Sequence, residues 1–254
     1  MLLRLPTSVS EAQECMAEGA VPIGGATLVW ATWQRDGFPA QAMSLRDLPE
    51  ANGIGAETLG AAVVLNRVDD RVPEVLRKAA AGVGTGAVRR TATVGGNLVG
   101  STLRCLLPAA LVLDARAVIL EPEGVHTTDL AEVLAKRHLL LSLGWRTPIA
   151  SNHHKAPDEA GGPPPLVVAA ALHREEGGQG GHRRLRVAVR DEGELFGGGV
   201  RCHATAEEDL RALREGRLAR LSDTAWEVVR RQVTELLTPP AGGPRTGPGT
   251  GSAG

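Results

Sequence analysis

Residues 88–105, VRRTATVGGNLVGSTLRC, set the reading of the whole chain. Paired glycines between strands, followed by small or hydroxylated residues, let backbone N–H groups approach an anion closely, and phosphate is the anion most often held this way. A second pair lies in PIGGATL, residues 22–28. Ile23, Gly24, Gly25, Ala26, Thr27 and Leu28 on one loop, with Thr93, Gly95, Gly96 and Asn97 on the other, could therefore grip a pyrophosphate from two sides. On spacing alone, each pair reads equally well as a tight turn. Neither fits GxGxxG or GxxxxGK(S/T), so the Rossmann and P-loop readings lack their required residues.

The flanks of these loops supply the architecture. Downstream, the segment after Cys105 reads as a helix over Leu106–Leu113, followed by a strand and turn in ARAVILEPEG and another strand in HLLLSLGWR. Upstream, PEVLRKAAA from Pro73 to Ala81 has proline at a plausible first helical turn, and GIGAETLGAAVVL from Gly53 to Leu65 reads as a short strand pair. Ser8 and Glu11 have the spacing of a capping box, which predicts a short helix ending near Gly19. AVPIGGATLVWATW, residues 20–33, reads as β-type sequence broken by the first glycine pair. Strands and helices mix without regular βαβ alternation, so the expected class is α+β.

Composition shifts at residues 151–165, SNHHKAPDEAGGPPP, which reads as a linker. Beyond it, PLVVAAALH, RLRVAVR and ELFGGGV read as three antiparallel strands with a turn at Asp191–Gly193, and helices are expected over Thr205–Glu215 and Ser222–Leu237. The expected organisation is a first domain over residues 1–150, with lobes of about 1–53 and 54–150. A linker, a small C-terminal α+β domain over 166–238 and a disordered tail over 239–254 follow.

Composition narrows the function classes. The chain has 254 residues, 43% hydrophobic and 22% charged, with a net charge of −1, which fits a globular protein without the strong field expected of a nucleic-acid or membrane binder. All but Lys78, Lys136 and Lys155 of the 28 basic residues are arginine. There is no tyrosine, so no tyrosyl acid, base or stacking ring is available. Cys15, Cys105 and Cys202 make an odd set with no CxxC, which supports neither a disulfide framework nor an iron–sulfur or Cys-rich zinc site. No signal peptide or spanning run is visible, and a cytoplasmic location is expected. His153-His154 should point to opposite sides of an extended chain, Cys202-His203 reads as an ordinary loop, and Asp69-Asp70 beside Arg67 and Arg71 as a solvated turn.

The order of PIGGATL, DLPEANGI, LGA, AVRRTATVGGNL and CLLPAALVLDA resembles the FAD-binding (medium) subunit of the molybdenum hydroxylases, the xanthine dehydrogenase and carbon monoxide dehydrogenase group. The resemblance implies a two-lobed FAD-binding fold with a small C-terminal domain, FAD as cofactor, and a pyrophosphate held by the backbone of the two glycine loops. It also implies partners: a molybdenum-cofactor large subunit, an iron–sulfur small subunit and a small-molecule electron acceptor. Arg89 would order the second loop or offset phosphate charge, Leu140 would lie near the isoalloxazine ring as well as in the core, and Lys155 matches a lysine near the flavin in some relatives.

Two positions depart from the family pattern. Ala26-Thr27 replaces Thr-Asp after the first glycine pair, and Cys105 stands where relatives carry an aspartate toward sugar hydroxyls. A thiol is a poor acceptor beside a carboxylate, so a lowered FAD affinity is expected. Two alternatives follow from these departures: a stand-alone flavoenzyme of a biosynthetic pathway, or a degenerate non-redox member that has lost FAD.

Overall fold

A computed structural model describes residues 1–157, 164–175 and 182–238. The first lobe is built on strands β1 (Leu2–Arg4), β2 (Val21–Ile23) and β3 (Gln41–Ser44), with helices α1 (Val9–Ala17) and α2 (Val29–Asp36) between them. Ser8 caps α1 by accepting from Glu11 N, as the spacing predicts. The sheet order is β1-β3-β2 and both pairings are parallel. This corrects the β-type reading of residues 28–33. Parallel neighbours need a crossover, and α2 supplies it despite the strand propensity of its Val, Thr and Trp residues. Trp30 and Trp33 lie edge-on to Phe38, with ring centroids 5.3 and 6.1 Å away, and α2 buries no residue fully.

The second lobe contains β4 (Ile54–Gly55), β5 (Thr58–Gly60), α3 (Glu74–Ala81), α4 (Gly86–Arg89), α5 (Leu107–Val112), β6 (Arg116–Glu121), β7 (Gly124–Asp129), α6 (Leu130–Lys136) and β8 (Leu139–Gly144). Its antiparallel sheet has the order β4-β5-β8-β6-β7. The expected strand pair and helices on either side of the second glycine loop are present, whereas β7 and α6 have no counterpart in the sequence reading.

Alternation along β6 and β8 builds two cores. Ala117, Ile119 and Leu143 join the main cluster with α3 and α5, and Leu120 and Leu141 turn to the first lobe with Ala12, Cys15 and Met43. A register shift between Val118 and Ile119 returns Leu140 to the main cluster. Gln13 Nε2 adds a polar tie between the lobes by donating to the carbonyls of Glu121 and Pro122.

The remaining sheet has four strands in the order β12-β11-β10-β9: β9 (Ala150–Lys155), β10 (Val167–Arg174), β11 (Arg183–Asp191) and β12 (Glu194–Arg201). The expectation of three strands, with a linker starting at residue 151, is therefore corrected. β9 pairs antiparallel with β10 from Ala150↔Leu172 to Lys155↔Val167. It was illegible because an edge strand needs no hydrophobic alternation: Ser151 Oγ accepts from Val75 N, Asn152 Nδ2 donates to Gln232 O, and Lys155 Nζ donates to Gly82 O. Residues 158–163 of the expected linker and the expected tail 239–254 lie outside the described residues.

Helices α7 (Ala206–Glu215) and α8 (Asp223–Leu237) cover one sheet face, packing on Val168, Ala170, Leu172, Leu185, Val187 and Val189. The opposite face carries Ala169, Ala171 and Ala188, whose small side chains belong to the core containing α5. α7 starts with a reciprocal capping box between Thr205 and Glu208.

Candidate functional site

A cleft of about 1050 Å³ opens between these parts, and all twelve residues singled out from the sequence line it. They are Ile23, Gly24, Gly25, Ala26, Thr27 and Leu28 from the β2–α2 turn, Thr93, Gly95, Gly96 and Asn97 from the second loop, then Cys105 and Leu140. The volume stands at the upper end of the roughly 300–1,000 Å³ of small-molecule sites, which suits a ligand as long as a dinucleotide.

The two glycine loops touch. A Cβ on Gly25 would overlap the carbonyl of Thr91 and lie 2.9 Å from Ala92 N, and one on Gly24 would overlap Thr93 Oγ1. Glycine is thus required by the contact between the loops. Their backbones serve different ends. In the second loop, Val94 N donates to Val63 O, Gly95 N to Ala61 O, Gly96 N to Thr93 Oγ1 and Asn97 N to Thr93 O, so these amides hold the loop itself. In the first loop, no hydrogen bond within the described residues is made by the N–H groups of Gly24, Gly25, Ala26, Thr27 or Leu28. Ala26 adopts a left-handed φ of 55°. Successive amides around a left-handed residue form the kind of concavity that binds anions.

Asn97 is buried, and its Oδ1 accepts from Leu106 N at 2.9 Å, so its side chain fixes the entry to α5. Leu140 is buried in the main core while also lining the cleft. Cys105 is half-buried and packs against the same core. Arg89 does not line the cleft: its Nη1 donates to Val83 O at 3.0 Å and Gly84 O at 2.7 Å, ordering the turn that leads into the second loop. Lys155 does line it.

The charge of the lining was missed in sequence. Arg46, Arg67, Arg90, Arg137, Lys155 and Arg190 border the cleft, against Asp47 as the carboxylate among the described residues. Arg46 lies 3.7 Å from that carboxylate. These cations come from separate elements, so no local run of charge announced them. Arg137 adopts a left-handed φ of 56° after α6 and precedes His138, whose Nδ1 lies 3.1 Å from Glu121 Oε1.

The other singled-out groups stay apart from the cleft or find partners elsewhere. His203 Nδ1 lies 2.8 Å from Asp209 Oδ1, while burial pushes the Cys202 thiol up. Asp69 pairs with Arg71 at 2.7 Å in an exposed turn. His153 is pushed down to about 4, first by burial and then by His154, Lys78 and Lys155, and its Nε2 is buried without a hydrogen bond. No group of three or more His, Cys, Asp or Glu among the described residues is placed to hold a metal. No helix among them is long and apolar enough to cross a membrane.

The fit to a flavin dinucleotide rests on these features: a long cleft, a concave run of unengaged amides, a loop contact that only glycine allows, and a cationic lining. Comparison with known proteins agrees. The structure is similar to a chain of quinoline 2-oxidoreductase from Pseudomonas putida 86, with a TM-score of 0.69 at 20% identity over 93% of this chain and 96% of that one. It is similar to a chain of carbon monoxide dehydrogenase from Hydrogenophaga pseudoflava, with a TM-score of 0.66 at 19% identity over 93% and 96%. A chain of reconstituted CO dehydrogenase from Oligotropha carboxidovorans gives 0.69 at 16% identity over 93% and 97%. At such identities the likeness shows the fold. No curated protein sequence matches the chain. Residues 3–140, more than half of the sequence, match the family described as the FAD binding domain in molybdopterin dehydrogenase. The chain therefore belongs to that family, with FAD as its cofactor and the FAD-binding fold that the resemblance implied.

Proposed function

We propose that this chain is the flavin-carrying electron-transfer component of a molybdenum-hydroxylase-type oxidoreductase. In this reading it works between a partner redox subunit and a small-molecule acceptor. FAD supplies the redox chemistry when bound, and the protein supplies binding, orientation and electrostatics. The observation that carries the reading is the run of five consecutive amides, Gly24 to Leu28, without partners among the described residues, in the wall of a cationic cleft.

Those amides are assigned to the pyrophosphate, with Arg67 and Arg90 offsetting its charge. Thr93 and Gly96 keep the second loop in register, because Thr93 Oγ1 accepts from Gly96 N and leaves its own hydroxyl proton for the cleft. Leu140 and Val99 give an apolar wall that excludes water. Cys105 gives the sugar hydroxyls a weaker acceptor than a carboxylate would. The partners are a molybdenum-cofactor large subunit and an iron–sulfur small subunit, supported by neighbours that include a Cu,Mo-CO dehydrogenase. The chain has three cysteines and no CxxC with which to build a cluster of its own.

The test is the absorption spectrum of the purified chain, followed by titration of the cofactor-free protein with FAD and affinity capture from its native host. Stoichiometric FAD together with a co-purifying molybdenum-containing chain is the expected result. Failure to take up FAD would overturn the redox reading. An active, monodisperse flavoprotein without partners would replace the subunit reading by that of a stand-alone flavoenzyme.

A further inference from the structure

Two charged side chains are fully buried among the described residues, Asp209 and Arg190, and their surroundings differ. Asp209 accepts from the backbone and the ring of His203. Arg190 is 6% exposed, sits near the end of β11 and borders the cleft. Its one hydrogen bond runs from Nη2 to the carbonyl of Arg104, at 2.9 Å. No carboxylate of the described residues lies within salt-bridge distance of it. Its neighbour Arg186 on the same strand pairs with Asp114 at 2.7 Å.

The other guanidinium nitrogens of Arg190 are open to the cleft rather than buried, so their N–H donors are available to a ligand, and an oxyanion there would supply the counter-charge that the described residues do not. The planar fork of arginine matches the two oxygens of a phosphoryl or carboxylate group better than a lysine ammonium would. We propose that Arg190 forms an oxyanion subsite at the C-terminal wall of the cleft, taking the phosphoryl or carboxylate group of a small molecule. This subsite comes from a different element than the amide run at Gly24–Leu28. It reaches the cleft from β11, so the C-terminal sheet takes part in choosing the ligand.

The experiment is calorimetric titration of inorganic phosphate, and in parallel acetate, into the full chain freed of cofactor. The wild type binds anion both at the Gly24–Leu28 amides and at Arg190, and the variants that follow report the Arg190 share. Arg190→Met, which removes an unpaired charge, keeps its thermal midpoint without anion and binds roughly tenfold to a hundredfold more weakly. Arg190→Lys, with the charge but not the fork, falls between. Wild-type protein that binds neither anion overturns the proposal, as does unchanged affinity in Arg190→Met. If that variant does not fold, the proposal stands or falls on Arg190→Lys, in which unchanged affinity overturns it. The same titration on FAD-loaded protein separates the sources. Competition identifies the cofactor's own phosphoryl group as the anion, whereas binding alongside FAD identifies a separate anionic reactant. Because the first titration contains no FAD, loss of the subsite and loss of the flavin reading give different results.

Discussion

Gly25→Ala tests whether contact between the glycine loops is what shapes the cofactor site. The new Cβ would coincide with the Thr91 carbonyl, a backbone group that no rotamer change can move aside. Relief requires the loops to separate, and overpacking of this kind costs about 1–3 kcal/mol. At about 2–4 °C per kcal/mol for a chain of this size, the thermal midpoint falls by several degrees. Separation also tilts the amides of the first loop, and losing one charge-assisted contact to the pyrophosphate weakens FAD roughly tenfold to a hundredfold. Three related variants calibrate the result. In Gly24→Ala the obstacle is the side-chain hydroxyl of Thr93, so the effect is smaller; at Gly100 a Cβ meets nothing within 4 Å, so Gly100→Ala is neutral. Gly124→Ala strains a left-handed φ of 141° in the β6–β7 turn, which does not line the cleft, so it destabilises the fold without weakening FAD in the folded protein. The assays are thermal unfolding without cofactor and fluorescence titration with FAD at a temperature where every variant is folded. Gly25→Ala protein with wild-type affinity, or equal weakening in Gly124→Ala, would refute the reasoning.

Arg89→Ala removes the donor to Val83 O and Gly84 O and should cost about 1–2 kcal/mol in urea unfolding; a change within about 0.5 kcal/mol would mark it as an ordinary surface arginine. His153 has a folded pKa of about 4, below its ordinary 6.5, so the unfolded chain takes up the proton first as the solution is acidified. Its contribution is complete above about pH 6.5 and is lost on falling toward pH 4, by roughly 2–3 kcal/mol, and His153→Gln should flatten the stability profile in that window. A wild-type profile already flat between pH 6.5 and 4.5 would contradict the burial argument. Glu192 holds a left-handed φ of 49° beside Gly193 in the β11–β12 turn, where asparagine is favoured. Glu192→Asn should therefore raise the thermal midpoint by a few degrees without changing FAD affinity, and an unchanged or lower midpoint would count against the turn assignment.

The sequence was most legible where backbone chemistry limits the choice of residue. Gly24-Gly25 stood out because side chains are excluded where the loops meet, Gly95-Gly96 because a Cβ there would press on Ala61 and Thr93, and Ser8, Thr205 and Ser222 marked helix starts by their hydrogen bonds. Legibility failed where tertiary context chose the outcome. Residues 29–36 carry strand-forming side chains, yet a parallel pairing on either side demands a helix. β9 is polar because its contacts are hydrogen bonds to α3, α8 and Gly82 rather than apolar packing. Arg190 closes an apolar strand pattern, Leu185 to Val189, and nothing local distinguishes a buried arginine there from a solvated one. The roles of Gly96 and Asn97 were only half readable, since spacing shows that a turn exists but not that its amides are already engaged.

The walls of the cleft are drawn from residues as distant as Val21 and Arg190. Occupancy is consequently linked to the folding of nearly the whole chain, because the complete site exists only when both lobes and the C-terminal sheet are in place. A ligand present at a hundred times its dissociation constant adds about 2.7 kcal/mol to the stability of everything it bridges. The cofactor then acts as a clamp across seams that the chain itself joins by apolar packing, at Leu120 and Leu141 and at Ala169, Ala171 and Ala188, and by hydrogen bonds such as those from Gln13, His173 and Arg190. Loaded protein should unfold in one cooperative step, with protease resistance spreading into the C-terminal sheet, whereas the cofactor-free chain opens first along the seam between its parts.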